Sequence, residues 1–285
     1  MRRPPLSRRE LIAGTVGAGF ALAVRPISAA TITTSADGLE VADIRIPGPG
    51  GDIPAYTAWP AKRAKKAKPP GVLVVHEIFG VHEHIRDVCR RLAKLGFAAI
   101  APDLFARQGD VTKLADNKEI FAKVVSKVPD EQVLSDLDRC LPHLTSKGAD
   151  TDHVAITGFC WGGRIAWLYA AHTKAVRAGA AWYGRLVGDK DPLHPLYPLD
   201  VAATLKAPVL GLYGGQDQGI PIASVEEMRK ALAAGGPASK RSQIQVYSDA
   251  GHAFFADYRP SYRATDAADG WKRMVDWFKA NGVAP

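Results

Sequence analysis

Residues 154–163 read Val-Ala-Ile-Thr-Gly-Phe-Cys-Trp-Gly-Gly, and residues 164–171 continue as Arg-Ile-Ala-Trp-Leu-Tyr-Ala-Ala. The first residues form a short apolar run typical of a buried strand, and the second stretch has helical spacing without a breaker. Between them stands Gly158-x-Cys160-x-Gly162, the pattern of a sharp turn that exposes a nucleophile above a sheet, with cysteine in the usual serine position. Bulkier residues at the two glycines would collide across such a turn. We therefore predict that Cys160 is a nucleophile, the alternative being a small buried thiol.

An acid and a histidine follow in the order expected of a hydrolase triad. The apolar run at 207–213 ends in Gly-Gly-Gln-Asp217, and the run at 244–248 is followed by Gly251-His252. Both residues come just after the carboxyl end of a predicted strand, where open α/β sheets place their chemistry. His252 can then serve as general base and acid, and Asp217 can orient it. Taken singly, Asp217 could be a turn residue and His252 a loop cap.

A fourth element precedes the cysteine. Residues 71–77 read Gly-Val-Leu-Val-Val-His-Glu and continue as Ile78-Phe79-Gly80. A run this apolar predicts a strand buried on both faces, and the loop after it supplies one oxyanion-hole N–H in this architecture. We assign the main-chain N–H groups of Ile78 and Trp161 to the oxyanion hole. Glu77 should lie near Cys160, either by accident or as a gate on thiol ionisation, because like charge disfavours a thiolate.

These motifs resemble the dienelactone hydrolase (carboxymethylenebutenolidase) family from about residue 40 to the C-terminus. The matching segments are His76–Gly80, Ala101–Leu104 with Arg107, Gly158–Gly163, Gly214–Asp217 and Gly251–Phe254. The resemblance implies a Cys160–His252–Asp217 triad, a Glu77 carboxylate that activates the cysteine when substrate arrives, and an Arg107 that holds a substrate carboxylate.

The chain departs from the family pattern at one position. Well-known members carry a second carboxylate-binding arginine four residues after the catalytic histidine, where this sequence has Ala256 followed by Asp257. The nearest arginines are Arg259 and Arg263. We therefore expect a weaker grip on carboxylated lactones and tolerance of neutral lactones or esters.

The remaining pattern predicts an α/β-hydrolase fold, a doubly wound and mostly parallel sheet with helices on both faces. The predicted strands are 39–46, 53–60, 71–77, 97–102, 154–159, 177–183, 208–213 and 243–248. The predicted helices are 84–95, one near 112–126, 130–147, 162–173, 222–234 and 262–280. Trp182 and Tyr183, at the end of one strand, are expected to line the pocket or to belong to the core.

The N-terminus has the three parts of a bacterial export signal. Arg8-Arg9 precedes an apolar, Gly/Ala-rich run at 13–24 and a small-residue cleavage site ending at Ala30. We predict a twin-arginine signal at 1–30, one domain at 31–285, and a periplasmic or secreted product without a stable membrane anchor. The alternatives are an uncleaved anchor or a chance basic tail.

Composition limits the partners. The formal charge is +8, and the predicted signal holds five arginines and one glutamate, so the mature chain is near +4. No basic motif with interleaved aromatics suggests nucleic acid, and no Cys/His spacing suggests a metal or other cofactor. Cys89 and Cys140 are expected to be buried thiols, although a disulfide between them stays open. The expected partner is a small lactone or ester, and the expected state is a monomer.

Two other functions stay open at this point. One is a broad-specificity esterase or peptidase-like hydrolase with no preference for carboxylates. The other is a non-catalytic binding or redox-sensing protein on the same fold, since an exposed reactive cysteine oxidises readily.

Overall fold

The computed structural model describes residues 32–48, 50–62 and 68–285, so the predicted export signal lies outside the described residues. The strands are β1 (Leu39–Ile46), β2 (Ile53–Pro60), β3 (Pro70–Val75), β4 (Ala98–Pro102), β5 (Asp150–Phe159), β6 (Ala178–Trp182), β7 (Val209–Gly214) and β8 (Gln243–Tyr247). The α-helices are α1 (Glu83–Lys94), α2 (Asn117–Lys123), α3 (Asp130–Ser146), α4 (Trp161–His172), α5 (Pro198–Val201), α6 (Ile222–Ala234), α7 (Pro237–Arg241) and α8 (Ala264–Ala280).

Within the described ranges, eight strands form one sheet in the order β1-β2-β4-β3-β5-β6-β7-β8. β1 pairs with β2 and β2 with β4 in antiparallel fashion, and all other neighbours are parallel. Every residue of β3 is buried, as expected for a central strand covered on both faces. The mostly parallel, doubly wound fold predicted from the sequence is confirmed.

The strand order places a topological switch point at β3. The chain runs from β3 through α1 to β4 on one side, and then returns through α3 to β5 on the other side of β3. Because such crossovers are right-handed, reversing direction moves the connecting helices to the opposite face of the sheet. The crevice outside the carboxyl ends of strands at a switch point is where open α/β sheets bind ligands. Glu77 follows β3 and Cys160 follows β5, so both lie at this crevice.

One predicted helix is wrong. Residues 112–126 do not form one helix but a 3₁₀ turn at Val111–Lys113, the short α2, and a second 3₁₀ turn at Val125–Lys127. The reason is local capping, because Asp110 accepts from the N–H of Thr112 and Asp116 accepts from the N–H of Glu119. Each carboxylate starts a separate turn. The short helices α5 and α7 were not predicted, and most other bounds differ by one to four residues.

The two remaining cysteines lie on helices as expected. Cys89 on α1 and Cys140 on α3 are both buried free thiols, and burial raises the pKa of each thiol well above its usual value. Neither is therefore poised for ionisation. Over the residues that the structure describes, no helix is both long enough and apolar enough to cross a lipid bilayer.

Candidate active site

Cys160 occupies the turn between β5 and α4 with backbone angles of φ 54° and ψ −113°. A non-glycine residue rarely adopts this conformation, so the surrounding packing must impose it. The packing is close: a side chain at Gly162 would lie 2.6 Å from the carbonyl oxygen of His76, and closer still to that of Val75. The amide of Cys160 donates to the Trp182 carbonyl at 3.0 Å, which ties the turn to β6. The sharp turn predicted from the glycine spacing is present.

The structure brings Cys160, His252 and Asp217 into one hydrogen-bonded chain. His252 Nε2 lies 3.2 Å from Cys160 Sγ, and His252 Nδ1 lies 2.7 Å from Asp217 Oδ2. Since a carboxylate only accepts, Nδ1 carries the proton that it donates to Asp217. The other oxygen of Asp217 accepts from the amide of Gly219 at 2.8 Å, so the buried carboxylate is held on both sides. This is the arrangement of nucleophile, base and orienting acid.

The environment of His252 favours its protonated form. Burial by itself would lower the pKa of the imidazole, but the hydrogen bonds to Asp217 and Cys160, with the charge of both groups, raise it to about 10. An imidazolium at neutral pH is suited to deliver a proton to a departing alkoxide.

Backbone strain concentrates around these residues. Among the residues that the structure describes, the non-glycine positions with positive φ are Cys160 at 54°, Tyr183 at 38° and Ala253 at 60°. Cys160 and Tyr183 directly follow β5 and β6, and Ala253 stands next to His252 in the loop after β8. Conformations of this kind cost free energy and are characteristic of functional sites, where the fold over-determines them.

The two predicted oxyanion donors lie in different segments, Trp161 at the start of α4 and Ile78 in the loop after β3. Trp161 begins α4, so its amide has no intrahelical acceptor. Ile78 is buried in the loop after β3. That loop is fixed by His76, whose Nε2 accepts from the Leu104 amide at 3.1 Å, which leaves Nδ1 to donate to the Glu77 carbonyl at 2.6 Å. These two hydrogen bonds hold the loop that carries Ile78, so the role of His76 is structural.

Glu77 is buried beside the triad but does not hydrogen-bond to the thiol. Its Oε2 accepts from the Tyr258 hydroxyl at 2.6 Å and from His82 Nε2 at 3.2 Å. Burial would raise the pKa of this carboxyl, but the hydrogen bond from His82 and the nearby Arg259 guanidinium hold it well below its usual value. Burial also lowers the pKa of His82, so the pair is a carboxylate and a neutral imidazole. Glu77 is thus a fixed negative charge.

Arg107 is paired with an acid that the sequence did not suggest. Its guanidinium donates to Oδ2 of Asp136 on α3, whose side chain is only 1% exposed. Arg139 reaches the other oxygen of Asp136 at 3.3 Å. The structure brings Arg107 to this ion pair and records no contact between it and the triad residues.

The segment after His252 is fastened to α1. Asp257 accepts from His84 Nδ1 at 3.1 Å and from Arg91 at 2.5 Å. The fixed segment presents Arg259, whose guanidinium lies 5.2 Å from the Phe79 ring centre and whose charge acts on both Glu77 and Cys160. A half-buried arginine is therefore present at the site, three residues after the Ala256 position that the family pattern reserves for one.

Sequence analysis gave no role to three residues of this site, His82, Tyr258 and Arg259, although Arg259 was named as one of the arginines nearest to position 256. The first two hold Glu77, and none of the three stands in a motif. Their signal is only proximity in sequence to Glu77 and to His252. Across the described parts of the chain, no group of three or more His, Cys, Asp or Glu residues has an arrangement that would hold a metal ion.

Comparison with known proteins relates the chain to one family. The model of the dienelactone hydrolase family matches residues 53–282. Two relatives carry the name "Putative carboxymethylenebutenolidase". The one from Methylorubrum extorquens is 60% identical over 98% of this chain and 94% of its own. The one from Escherichia coli is 51% identical over 95% of this chain and 98% of its own.

Solved structures give the same picture. A crystal structure titled "Putative Dienelactone Hydrolase", from Klebsiella pneumoniae, has a TM-score of 0.81 and 52% identity, covering 85% of this chain and 98% of that one. A dienelactone hydrolase-like promiscuous phosphotriesterase from metagenomic libraries has a TM-score of 0.70 over the same shares, but at 22% identity it speaks only to the fold.

Proposed function

Because the chain belongs to the dienelactone hydrolase family and is a hydrolase of ester or lactone bonds, we propose that it acts through a Cys160–His252–Asp217 triad. The observation that carries this proposal is the unbroken chain from Cys160 Sγ through His252 to the buried Asp217, with separations of 3.2 and 2.7 Å. A buried cysteine of purely structural use needs neither a histidine at its sulfur nor a strained exposed turn.

The proposed reaction is acyl transfer in two steps. The Cys160 thiolate attacks the carbonyl carbon, and the main-chain N–H groups of Ile78 and Trp161 stabilise the developing oxyanion. The tetrahedral intermediate collapses, and the departing alkoxide takes the proton from His252 Nε2, which leaves a thioester. In a lactone the alcohol produced stays attached to the acyl chain.

The second step regenerates the enzyme. His252 Nε2 takes a proton from water, and the resulting hydroxide attacks the thioester carbonyl in the same oxyanion hole. Collapse releases the carboxylic acid and returns the thiolate and the protonated imidazole. Asp217 accepts the hydrogen bond from Nδ1 in both steps and stabilises the imidazolium. Glu77 is the carboxylate that we assign to the control of thiol ionisation, because it is a buried negative charge at the same crevice as Cys160.

We retain Arg107 as the candidate contact for a substrate carboxylate. Its ion pair with Asp136 and the alanine at position 256 both favour a weak contact, so neutral lactones and esters are the expected substrates. A broad-specificity esterase is therefore the second candidate function, and the same observation favours it.

We also propose that the protein is exported through the twin-arginine pathway, works in the periplasm or outside the cell, and acts as a monomer. The support for export is the Arg8-Arg9 pattern with the short apolar run after it.

A substrate panel on the mature protein tests the function. We expect hydrolysis of neutral lactones and small aryl esters, and a loss of more than a hundredfold in kcat/KM for Cys160→Ala, since loss of a covalent nucleophile costs several orders of magnitude. Cys89→Ala is the matched control and should retain the wild-type rate. A Cys160→Ala variant that folds normally and keeps more than about a hundredth of the activity would rule out the nucleophile.

A further inference from the structure

Two buried polar atoms beside the triad have no hydrogen-bond partner among the described residues: Glu77 Oε1 and the Tyr183 hydroxyl. The Glu77 residue is 1% exposed and Tyr183 is fully buried. Buried polar groups in native proteins are nearly always hydrogen-bonded, because an unpartnered one costs free energy. Two such atoms at one active site indicate groups kept free for something that binds there.

The carboxylate of Glu77 is oriented so that one oxygen stays free. Tyr258 at 2.6 Å and His82 at 3.2 Å both donate to Oε2, which fixes the plane of the carboxylate. The pKa of Glu77 is held well below its usual value, first by the hydrogen bond from His82, so the group is ionised and can only accept. Oε1 is therefore a hydrogen-bond acceptor without a donor among the described residues.

Tyr183 is held just as firmly. Its backbone has φ 38°, its amide donates to the Leu212 carbonyl at 2.8 Å, and its ring packs edge-on against His252 at 5.2 Å between centroids. Burial, followed by the negative charges of Glu77 and Cys160, raises the pKa of the phenol well above its usual value. The hydroxyl thus keeps its proton and lies within the field of the same two groups. The Tyr183 hydroxyl is therefore a hydrogen-bond donor without an acceptor among the described residues.

We propose that Glu77 Oε1 and the Tyr183 hydroxyl form a subsite for an alcohol group carried by a neutral lactone or ester. This proposal rests on the proposed function, because it places the substrate by the sulfur of Cys160. An alcohol donates one hydrogen bond and accepts another, so it completes both free groups at once.

Other polar groups fit this pair poorly. A carboxylate accepts from Tyr183 but meets the negative charge of Glu77. An ammonium group donates to Glu77 but offers nothing to Tyr183, and the Arg259 guanidinium opposes it. An ether accepts only, and leaves Oε1 unpartnered. A site built to hydrogen-bond a substrate hydroxyl discriminates strongly against analogues that lack it.

The subsite also bears on the thiol. A hydroxyl that donates to Oε1 draws the negative charge of Glu77 away from Cys160, which reduces the repulsion that a thiolate would meet. The preference for hydroxylated substrates should therefore be visible in kcat as well as in KM.

The test compares γ-butyrolactones that are unsubstituted or carry a hydroxyl, methoxy or carboxylate group at ring position 2 or 3. Hydrolysis is followed by acid release with a pH indicator. For at least one hydroxylated isomer we expect kcat/KM to exceed those of its methoxy and carboxylate analogues by roughly ten- to a hundredfold. Tyr183→Phe should lower the ratio of hydroxy to unsubstituted lactone roughly tenfold, because the variant lacks the donor from which the substrate oxygen accepts. Tyr169→Phe, which removes another buried hydroxyl, one bonded to Asp138, is the control that keeps the ratio.

Three outcomes overturn the proposal. The first is a wild-type enzyme that hydrolyses hydroxy and methoxy lactones equally well, or prefers the carboxylates. The proposed function stays intact in that case, provided that Cys160→Ala is inactive. An unchanged ratio of hydroxy to unsubstituted lactone in Tyr183→Phe assigns the Tyr183 hydroxyl a structural role. If Cys160→Ala remains active, the proposed function itself fails, and the subsite fails with it.

Discussion

Adding one methyl group at Gly162 should both weaken the fold and slow the reaction. Gly162 lies in the first turn of α4, two residues after Cys160, and packs against the backbone where β3 ends. A Cβ there would lie 2.6 Å from the His76 carbonyl oxygen and 2.8 Å from the Val75 carbonyl carbon. Comfortable contact needs about 3.5 Å, so roughly 1 Å of movement is required. The obstacle is backbone, which cannot rotate away as a flexible side chain would.

The two energetic effects of Gly162→Ala have opposite signs. Alanine is favoured over glycine in a helix by about 1 kcal/mol, whereas overpacking typically costs about 1–3 kcal/mol. Because the clash is with backbone, we take the upper value, and the net destabilisation is about 2 kcal/mol. A domain of this size should then lose roughly 4–8 °C in Tm. Displacing Cys160 by about 1 Å should lower kcat/KM by roughly a hundredfold if the proposed function holds.

Thermal unfolding and hydrolysis of a neutral lactone measure both effects. Gly251→Ala is the matched control, because a Cβ at Gly251 meets nothing within 4 Å although His252 is its neighbour. That variant should stay within about 0.5 kcal/mol of wild type. A Gly162→Ala enzyme with wild-type Tm and kcat/KM would refute the argument that close backbone approach holds the turn.

Three further predictions concern protonation, substrate charge and export. Since the pKa of His252 is raised to about 10, the proton for the leaving group is present at neutral pH, and kcat/KM should fall as the pH rises through about 10. A rate that instead rises through pH 7 to a plateau would mean that the imidazole acts from its neutral form. Arg107→Ala should raise KM for carboxylated lactones roughly tenfold and change neutral ones little; equal effects, with a lower Tm, would assign Arg107 to Asp136 alone. Lysine at both Arg8 and Arg9 should leave the precursor in the cytoplasm, as judged by cell fractionation, and export regardless would exclude a twin-arginine signal.

Much of the candidate site was predictable because its requirements are local or topological. Gly158-x-Cys160-x-Gly162 encodes a turn in which a side chain at either glycine would collide with backbone, and the strand, turn and helix follow from the eighteen consecutive residues 154–171. Asp217 and His252 are distant in sequence, yet each follows a strand, and the carboxyl ends of parallel strands share one rim. The order of elements thus predicted that the three side chains would meet, and the structure brings them together. The predicted helix at 112–126 failed because two capping aspartates divided it.

What only the tertiary structure decided is which partner each charged side chain finds. Arg107 meets Asp136 across 29 positions, and Glu77 meets Tyr258 across 181. The sequence determined that these residues stand near strand ends, because strand and helix periodicity is written in neighbouring residues. It could not show that Glu77 would have one hydrogen-bonded and one unpartnered oxygen. Nor could it show that Tyr183 would have a positive φ and a hydroxyl without a hydrogen-bond partner among the described residues. Those facts depend on how separate loops cross above the sheet, where a shift of one or two ångströms makes or breaks a hydrogen bond.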